Sequence, residues 1–283
     1  DVTDTETPSP RRRAVFLDVD GTYAVFGAAP AGHVAAVRAA RDAGHLVFLC
    51  TGRPMSMVPA HLLAAGFDGV VAAGGAYAVL GDEVLLDIRF PADLAARTVE
   101  VMDSYGVTYL LEAPEAVYTA SGTVEQLRQA YRAHLADAPS ATTVVSDILA
   151  SVRPVPAAGA VSFAKVSVVV SSVPVEKLGA EVGEQLAVLP SSVPALGEEA
   201  GEIFLAGVHK AVGMEAIVRR LGLARGDVIG FGDGLNDLEM LEYAGVGVAI
   251  EGSHERLLAV ADRTAAGPEV EGLVQAFAEL GLR

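Results

Sequence analysis

Cysteine occurs once, at Cys50, so no intrachain disulfide can form and nothing marks an oxidising compartment. Basic residues are scarce: 20 Lys and Arg stand against 36 Asp and Glu, a net charge of −16. A chain of that sign repels a nucleic-acid backbone, and its only basic run, Arg11-Arg12-Arg13, is too short to compensate. Nucleic acid is therefore not an expected partner. Long apolar runs are missing too. The longest stretch without Asp, Glu, Lys or Arg, from Gly21 to Val37, contains Pro30, His33 and three glycines, which is no membrane span. A secretory leader would need an apolar segment after the triple arginine, but the run from Ala14 to Leu17 stops at Asp18. The expectation is a soluble, cytoplasmic protein with no membrane partner.

What is present is enough for about two domains, since 283 residues at roughly 150 per domain fill two cores. Hydrophobic residues make up 52% and charged residues 20%, which excludes disorder for the chain as a whole. Residues 1–13 have little to bury and read as a flexible tail. Next come apolar runs at Ala14–Val19, His45–Cys50 and Asp68–Ala73. They are separated by a helical pattern over Ala31–Ala43 and by a helix expected to open at Pro54. The alternation returns near the other end, with a helix carrying Met214, Ile217, Val218 and Leu221 on one face. A strand at Asp227–Phe231, a helix at Leu235–Tyr243 and a strand at Val246–Ile250 follow. Buried strands alternating with helices imply an α/β core, a Rossmann-like doubly wound parallel sheet. Between about residues 88 and 205 the pattern is mixed. Strands are expected at Thr108–Leu111, Lys165–Val170 and Glu202–Leu205, and helices at Ala92–Tyr105, Thr123–Leu135 and Val175–Leu186. This segment reads as an α+β insertion between two halves of one core.

Four places carry polar chemistry, each at a strand's C-terminal end or a helix start, where open α/β sheets bind ligands. Asp18-Val19-Asp20-Gly21-Thr22 follows the first strand, and residues two apart on an extended chain point the same way. An ordinary capped turn would also explain Asp and Thr there. Thr51-Gly52-Arg53 offers a hydroxyl and backbone N–H groups at an expected helix head, an anion site or a simple cap. Lys210, one of only three lysines, opens a helix whose dipole it opposes, so an anion nearby is expected. Gly232-Asp233-Gly234-Leu235-Asn236-Asp237 packs more acid than capping needs. Acids also fill the loop that a dinucleotide-binding fingerprint would leave open to pyrophosphate. Cys50 closes an apolar strand and reads as a buried thiol.

Asp18, Asp20, Asp233 and Asp237 in one crevice would repel one another by a few kcal/mol per close pair at an effective dielectric of about 20. Such a cluster needs a cation, and oxygen ligands without His or Cys favour Mg²⁺. A Mg²⁺ beside a lysine and a hydroxyl-bearing loop describes a phosphoryl site.

These four motifs, in this order, resemble those of the haloacid dehalogenase-like superfamily of phosphohydrolases. The long insertion resembles the large α/β cap of its Cof-like sugar-phosphatase branch. The resemblance implies a core at 14–87 and 206–283 with an inserted cap domain at 88–205. It implies a Mg²⁺-dependent phosphatase acting on a small phosphorylated metabolite, a sugar phosphate being the expected kind, through an aspartyl-phosphate. Asp18 would be the nucleophile and Asp20 the general acid and base. The metal would be held by Asp18, the main-chain carbonyl of Asp20, and Asp233. Thr51, Gly52, Lys210 and Asn236 would hold phosphate oxygens, with Asp237 behind them; Arg53 has no assigned role.

The chain departs from that pattern at Gly74-Gly75-Ala76, at Ala211, at Glu251-Gly252-Ser253 and in Gly267–Gly272. In the family these positions border the cap, so the departures bear on the substrate rather than the chemistry. Two other readings share the motifs: a phosphomutase of the phosphomannomutase kind, and a phosphate-ligand sensor without catalysis. A sensor has no use for Asp20.

Overall fold

Strands covered on both faces are apolar at every position, and the runs Ala14–Leu17 and Leu46–Cys50 have that character. The computed structural model of the chain describes residues 11–137, 142–191 and 197–283. Its first part comprises β1 (Ala14–Leu17), α1 (Ala31–Asp42), β2 (Leu46–Cys50), β3 (Gly69–Ala72), β4 (Tyr77–Leu80) and β5 (Glu83–Asp87). The inserted part holds α2 (Ala92–Ser104), β6 (Thr108–Glu112), β7 (Val117–Ala120), α3 (Val124–Asp137) and α4 (Thr142–Ser151). It continues with β8 (Val152–Val155), β9 (Lys165–Val170), α5 (Val175–Val182), β10 (Leu186–Pro190) and β11 (Gly201–Leu205). The chain then returns through α6 (Lys210–Leu221), β12 (Val228–Gly232), α7 (Leu238–Tyr243), β13 (Val246–Ile250), α8 (Glu255–Val260), β14 (Arg263–Ala265) and α9 (Gly272–Glu279).

The first and last parts share one eight-stranded sheet, ordered β14-β13-β12-β1-β2-β3-β4-β5. From β14 to β3 every pairing is parallel. Alternation along β1 and β2 sends Val15, Leu17, Val47 and Leu49 to one face, where they meet Val37 and Ala40 of α1 and Phe277 of α9. Phe16 and Phe48 go to the other face, stack with ring centroids 4.7 Å apart, and pack against Met214, Ile217 and Met240. The sheet is thus doubly wound, as the alternating pattern implies. The insertion forms a separate six-stranded sheet, β10-β11-β9-β6-β7-β8, with α2 and α5 over one face. The expected α/β core with an inserted α+β cap is what the chain builds.

Several local expectations are corrected. No α-helix opens at Pro54; two short 3-10 turns, Met55–Met57 and Ala60–Leu63, stand there. Pro59 is the cause. It has no N–H to donate, and its ring drives Val58 into extended backbone at φ −101°, ψ 95°. The expected helix Val175–Leu186 stops at Val182, because Gly183 sits at φ 145°, a conformation closed to side-chain-bearing residues. Leu186 then begins an edge strand paired with β11. The expected helix Leu235–Tyr243 starts as a 3-10 turn, Leu235–Asp237, before α7. Beyond β3 the sheet is extended by an antiparallel hairpin, β4–β5, that the alternating pattern did not announce.

Of the expected tail, residues 1–10 lie outside the described residues, whereas Arg11 pairs with the Asp227 carboxylate and the Arg13 guanidinium reaches its carbonyl. No helix among the described residues is long and apolar enough to cross a membrane.

The paired phenylalanines fix β1 and β2 against α6 and α7, so Phe48→Ala should lower the unfolding free energy by about 3–5 kcal/mol. Urea denaturation should show an earlier midpoint at unchanged slope.

Candidate active site

β1 and β12 lie side by side at the centre of the sheet, and Asp18 continues that pairing by donating its N–H to the Phe231 carbonyl, 3.0 Å away. The strand ends at Leu17, so strand alternation does not set the directions of Asp18 and Asp20; the turn does. Gly21 makes that turn at φ 87°, and a Cβ there would stand 2.3 Å from Asp233 Oδ2. Only glycine lets this loop close onto the loop after β12. Thr22 Oγ1 completes the approach by donating to Asp233 Oδ1 at 2.9 Å.

Behind Asp18 lies Lys210, fully buried at the first position of α6. Its Nζ donates to Asp18 Oδ1 at 2.6 Å and to Asp237 Oδ1 at 2.5 Å. The anion expected beside a lysine at a helix start is thus a pair of carboxylates. Burial works against the Lys210 charge, but Asp18 and Asp237 outweigh it and hold its pKa well above the ordinary lysine value. Asp237 Oδ2 accepts the N–H groups of Asp233 and Gly234, both at 3.0 Å. Both of its oxygens are engaged, one by the Lys210 ammonium and the other by the two backbone N–H groups.

Asp18, Asp233 and Asp237 each present a carboxylate oxygen within 4.8 Å of the others, a group that could hold a metal ion. Burial is the main cause that lifts the Asp18 carboxyl well above its ordinary range; Asp237 adds to it and Lys210 opposes. Burial also raises Asp233, against the hydrogen bond that it accepts from Thr22. One ammonium for three carboxylates leaves this cluster short of positive charge. With oxygen donors only, the residues fit a small hard divalent cation. The Asp20 side chain is not part of the cluster. Its oxygens are gripped by Arg53, with Nε to Oδ2 at 2.8 Å and Nη2 to Oδ1 at 2.6 Å, and Arg53 Nη1 also donates to the Met57 carbonyl. A partner for Asp20 is the place the structure gives Arg53.

A cavity of about 500 Å³ opens above these groups, between the core and the inserted sheet. Asp18, Asp20, Thr51, Gly52, Asp233 and Asn236 all line it. Lys210 does not; it stands behind Asp18, so its charge reaches the cavity through that carboxylate. Thr51 Oγ1 accepts the Arg53 N–H at 3.1 Å, and Asn236 Nδ2 would lie 3.1 Å from a Cβ placed on Gly52. Cys50 is a buried free thiol whose pKa burial pushes upward, as its place in an apolar strand suggests. Of the departures from the family pattern, Gly74 lines a neighbouring cavity of about 270 Å³.

The inserted sheet contributes polar groups that sequence reasoning missed. Lys165 of β9 is buried and donates to the Gly52 carbonyl at 2.6 Å and to Glu202 Oε1 at 3.0 Å. Glu112 Oε2 lies 3.2 Å from the same ammonium. One signal was available: Lys165 is among three lysines and heads a strand that carries four valines.

Comparison with known proteins bears on the family and the fold. Residues 15–277 match the model of a haloacid dehalogenase-like hydrolase family. A Streptococcus pyogenes protein with the provisional name bifunctional phosphatase/peptidyl-prolyl cis-trans isomerase is 27% identical over 281 residues, 95% of this chain and 54% of that one. The chain therefore spans about half the length of that relative. The 5-amino-6-(5-phospho-D-ribitylamino)uracil phosphatase YitU of Bacillus subtilis is 42% identical over 78 residues, 28% of this chain and 29% of that one. Among solved structures, a subclass IIB sugar phosphatase of the superfamily aligns with a TM-score of 0.76 at 22% identity, covering 96% of this chain and 100% of that one. A superfamily phosphatase from Bacteroides thetaiotaomicron gives 0.77 at 23% identity, with both chains covered in full at 100%. With its four motifs converging below an inserted sheet, the chain belongs to the haloacid dehalogenase-like hydrolase family.

Proposed function

We propose that this chain is a Mg²⁺-dependent phosphatase that cleaves a small phosphorylated metabolite, of the sugar-phosphate class, through an aspartyl-phosphate on Asp18. The observation that carries the reading is Lys210 Nζ between Asp18 at 2.6 Å and Asp237 at 2.5 Å, which ties three of the four motifs to one point. The phosphatase names of the relatives support it. Residues 88–205 serve as the cap over a core of 14–87 and 206–283, and the reaction takes place in the cytoplasm.

Asp18, Asp233 and the main-chain carbonyl of Asp20 are the groups that would hold Mg²⁺. When bound, the ion supplies the positive charge the carboxylates lack and neutralises charge on the phosphoryl oxygens. Thr51, Gly52 and Asn236 orient the phosphate, with Lys210 contributing charge from behind Asp18. A carboxylate oxygen of Asp18 attacks phosphorus, and the bond to the ester oxygen breaks as Asp20 donates a proton to the departing alcohol. Asp20 then takes a proton from the water that attacks the phosphorus of aspartyl-phosphate, which frees Asp18 and releases inorganic phosphate.

Asp18→Asn should abolish turnover of every phosphate ester. Asp20→Asn should slow alkyl phosphates by about 10²–10⁴-fold, because an alkoxide leaves badly without a proton. With nitrophenyl phosphate it should instead give a burst near one nitrophenol per active site, then a slow steady rate. Intact-mass measurement should find the phosphoryl group on Asp18. Equal rates for parent and Asp20→Asn on both ester types would remove Asp20 from the chemistry.

Metal dependence can be read from stability as well as rate. Because the Asp18 and Asp233 carboxyls are raised in the folded metal-free protein, the native state binds protons that the unfolded chain has released. Stability therefore falls as pH climbs from the ordinary carboxylate range through the raised one. Mg²⁺ competes with those protons. Its addition to chelated protein should raise Tm more at about pH 8 than at about pH 5. A shift that is equal at both, or absent, counts against the metal assignment.

A further inference from the structure

Strand register on the inserted sheet sets three ionisable side chains next to one another on the face above the cavity. Glu112 of β6 is directly opposite Lys165 of β9, and Glu202 of β11 is opposite Ser167, two residues further along β9. All four line the cavity. The Lys165 ammonium has three protons and three oxygen neighbours: the Gly52 carbonyl at 2.6 Å, Glu202 Oε1 at 3.0 Å and Glu112 Oε2 at 3.2 Å. Burial works against its charge, but the two carboxylates outweigh that and raise its pKa above the ordinary lysine value. Its charge is thus already answered twice. Among the described residues the other cation of the lining is Arg53, which grips Asp20.

The hydrogen-bonding capacity left on this wall belongs to acceptors. Glu112 Oε1 accepts from Ser167 Oγ at 2.7 Å, while its Oε2 makes no aligned hydrogen bond. Glu202 is more open, with 18% of its side chain exposed. Leu110, Tyr131, Ile148 and Leu189 supply an apolar surface beside them.

We propose that Glu112, Lys165 and Glu202 select the leaving group by charge. The two glutamates, held by Lys165, accept hydrogen bonds from the hydroxyl or ammonium groups of a monophosphate ester and reject a body that carries a second anion. Two carboxylates against one ammonium give the wall a net negative charge, and like charges brought together at a desolvated surface are strongly disfavoured. This selection rests on the phosphatase reading of the cavity, so the two need separate readouts.

The test is binding to full-length Asp18→Asn in the presence of Mg²⁺, measured calorimetrically with three probes of equal carbon count: glucosamine-6-phosphate, glucose-6-phosphate and 6-phosphogluconate. The amino sugar should bind at least as tightly as the neutral sugar, and the carboxylate-bearing probe should bind at least about tenfold more weakly. Adding Glu202→Gln or Glu112→Gln should shrink that gap. The gap is a ratio within one protein, so a general loss of affinity cancels, and Glu202→Gln carries the test if Glu112→Gln does not fold. Equal or tighter binding of 6-phosphogluconate, a gap unchanged by Glu202→Gln, or no binding of any probe overturns the proposal. The phosphatase reading is judged apart, by parent turnover of nitrophenyl phosphate.

Discussion

Asp18, Asp233 and Asp237 bring carboxylate oxygens within 4.8 Å of one another, and no amount of nearby apolar packing makes that arrangement favourable. Removing charges from water costs several kcal/mol per ion unless opposite charge and hydrogen bonds answer them. Much of the core is organised around supplying those answers. Lys210 comes from the start of α6, two backbone N–H groups come from the loop after β12, and the Thr22 hydroxyl comes from the turn after β1. Three different segments deliver these donors. The cluster can form only once the two halves of the core have met across β1 and β12.

That dependence explains why an insertion of more than a hundred residues is tolerated. The chain leaves the core after β5 and re-enters just before Lys210, while the strand pairing that builds the cluster is made by the flanking halves alone. The inserted sheet keeps its own apolar centre, with Met102, Phe163 and Ile203 buried between it and its helices. Polar contact between the two layers is concentrated near the cavity. Lys165 meets Gly52 there, and Ser56 Oγ donates to the Ala113 carbonyl.

The core was legible because its chemistry is local in sequence. Asp18, Asp20, Thr51, Asp233 and Asn236 sit at strand ends whose apolar runs are unmistakable, and the ligand crevice of an open sheet lies there by geometry. Lys210 was legible from its cost at a helix start. Other features were hidden for identifiable reasons. A single proline, Pro59, broke a pattern that otherwise read as helix, and Gly183 ended another where apolar periodicity ran on. The β4–β5 hairpin has a signal of its own, Gly81-Asp82 between two apolar stretches. In the Glu112–Lys165–Glu202 group only Lys165 left a signal, and nothing in the sequence joins it to the two glutamates. Its members are far apart along the chain, and only the register of three antiparallel strands makes them neighbours.

The contact between Lys165 and Gly52 is asymmetric in a way that matters over generations. Its acceptor is a peptide oxygen, an atom that every amino acid provides, so a replacement at position 52 keeps the acceptor itself. The donor, by contrast, vanishes with one codon change at position 165. The core thus contributes to this contact through its main chain, while the inserted layer contributes a side chain that it can gain or lose. Diversification of that layer can proceed over an unaltered base, one substitution at a time.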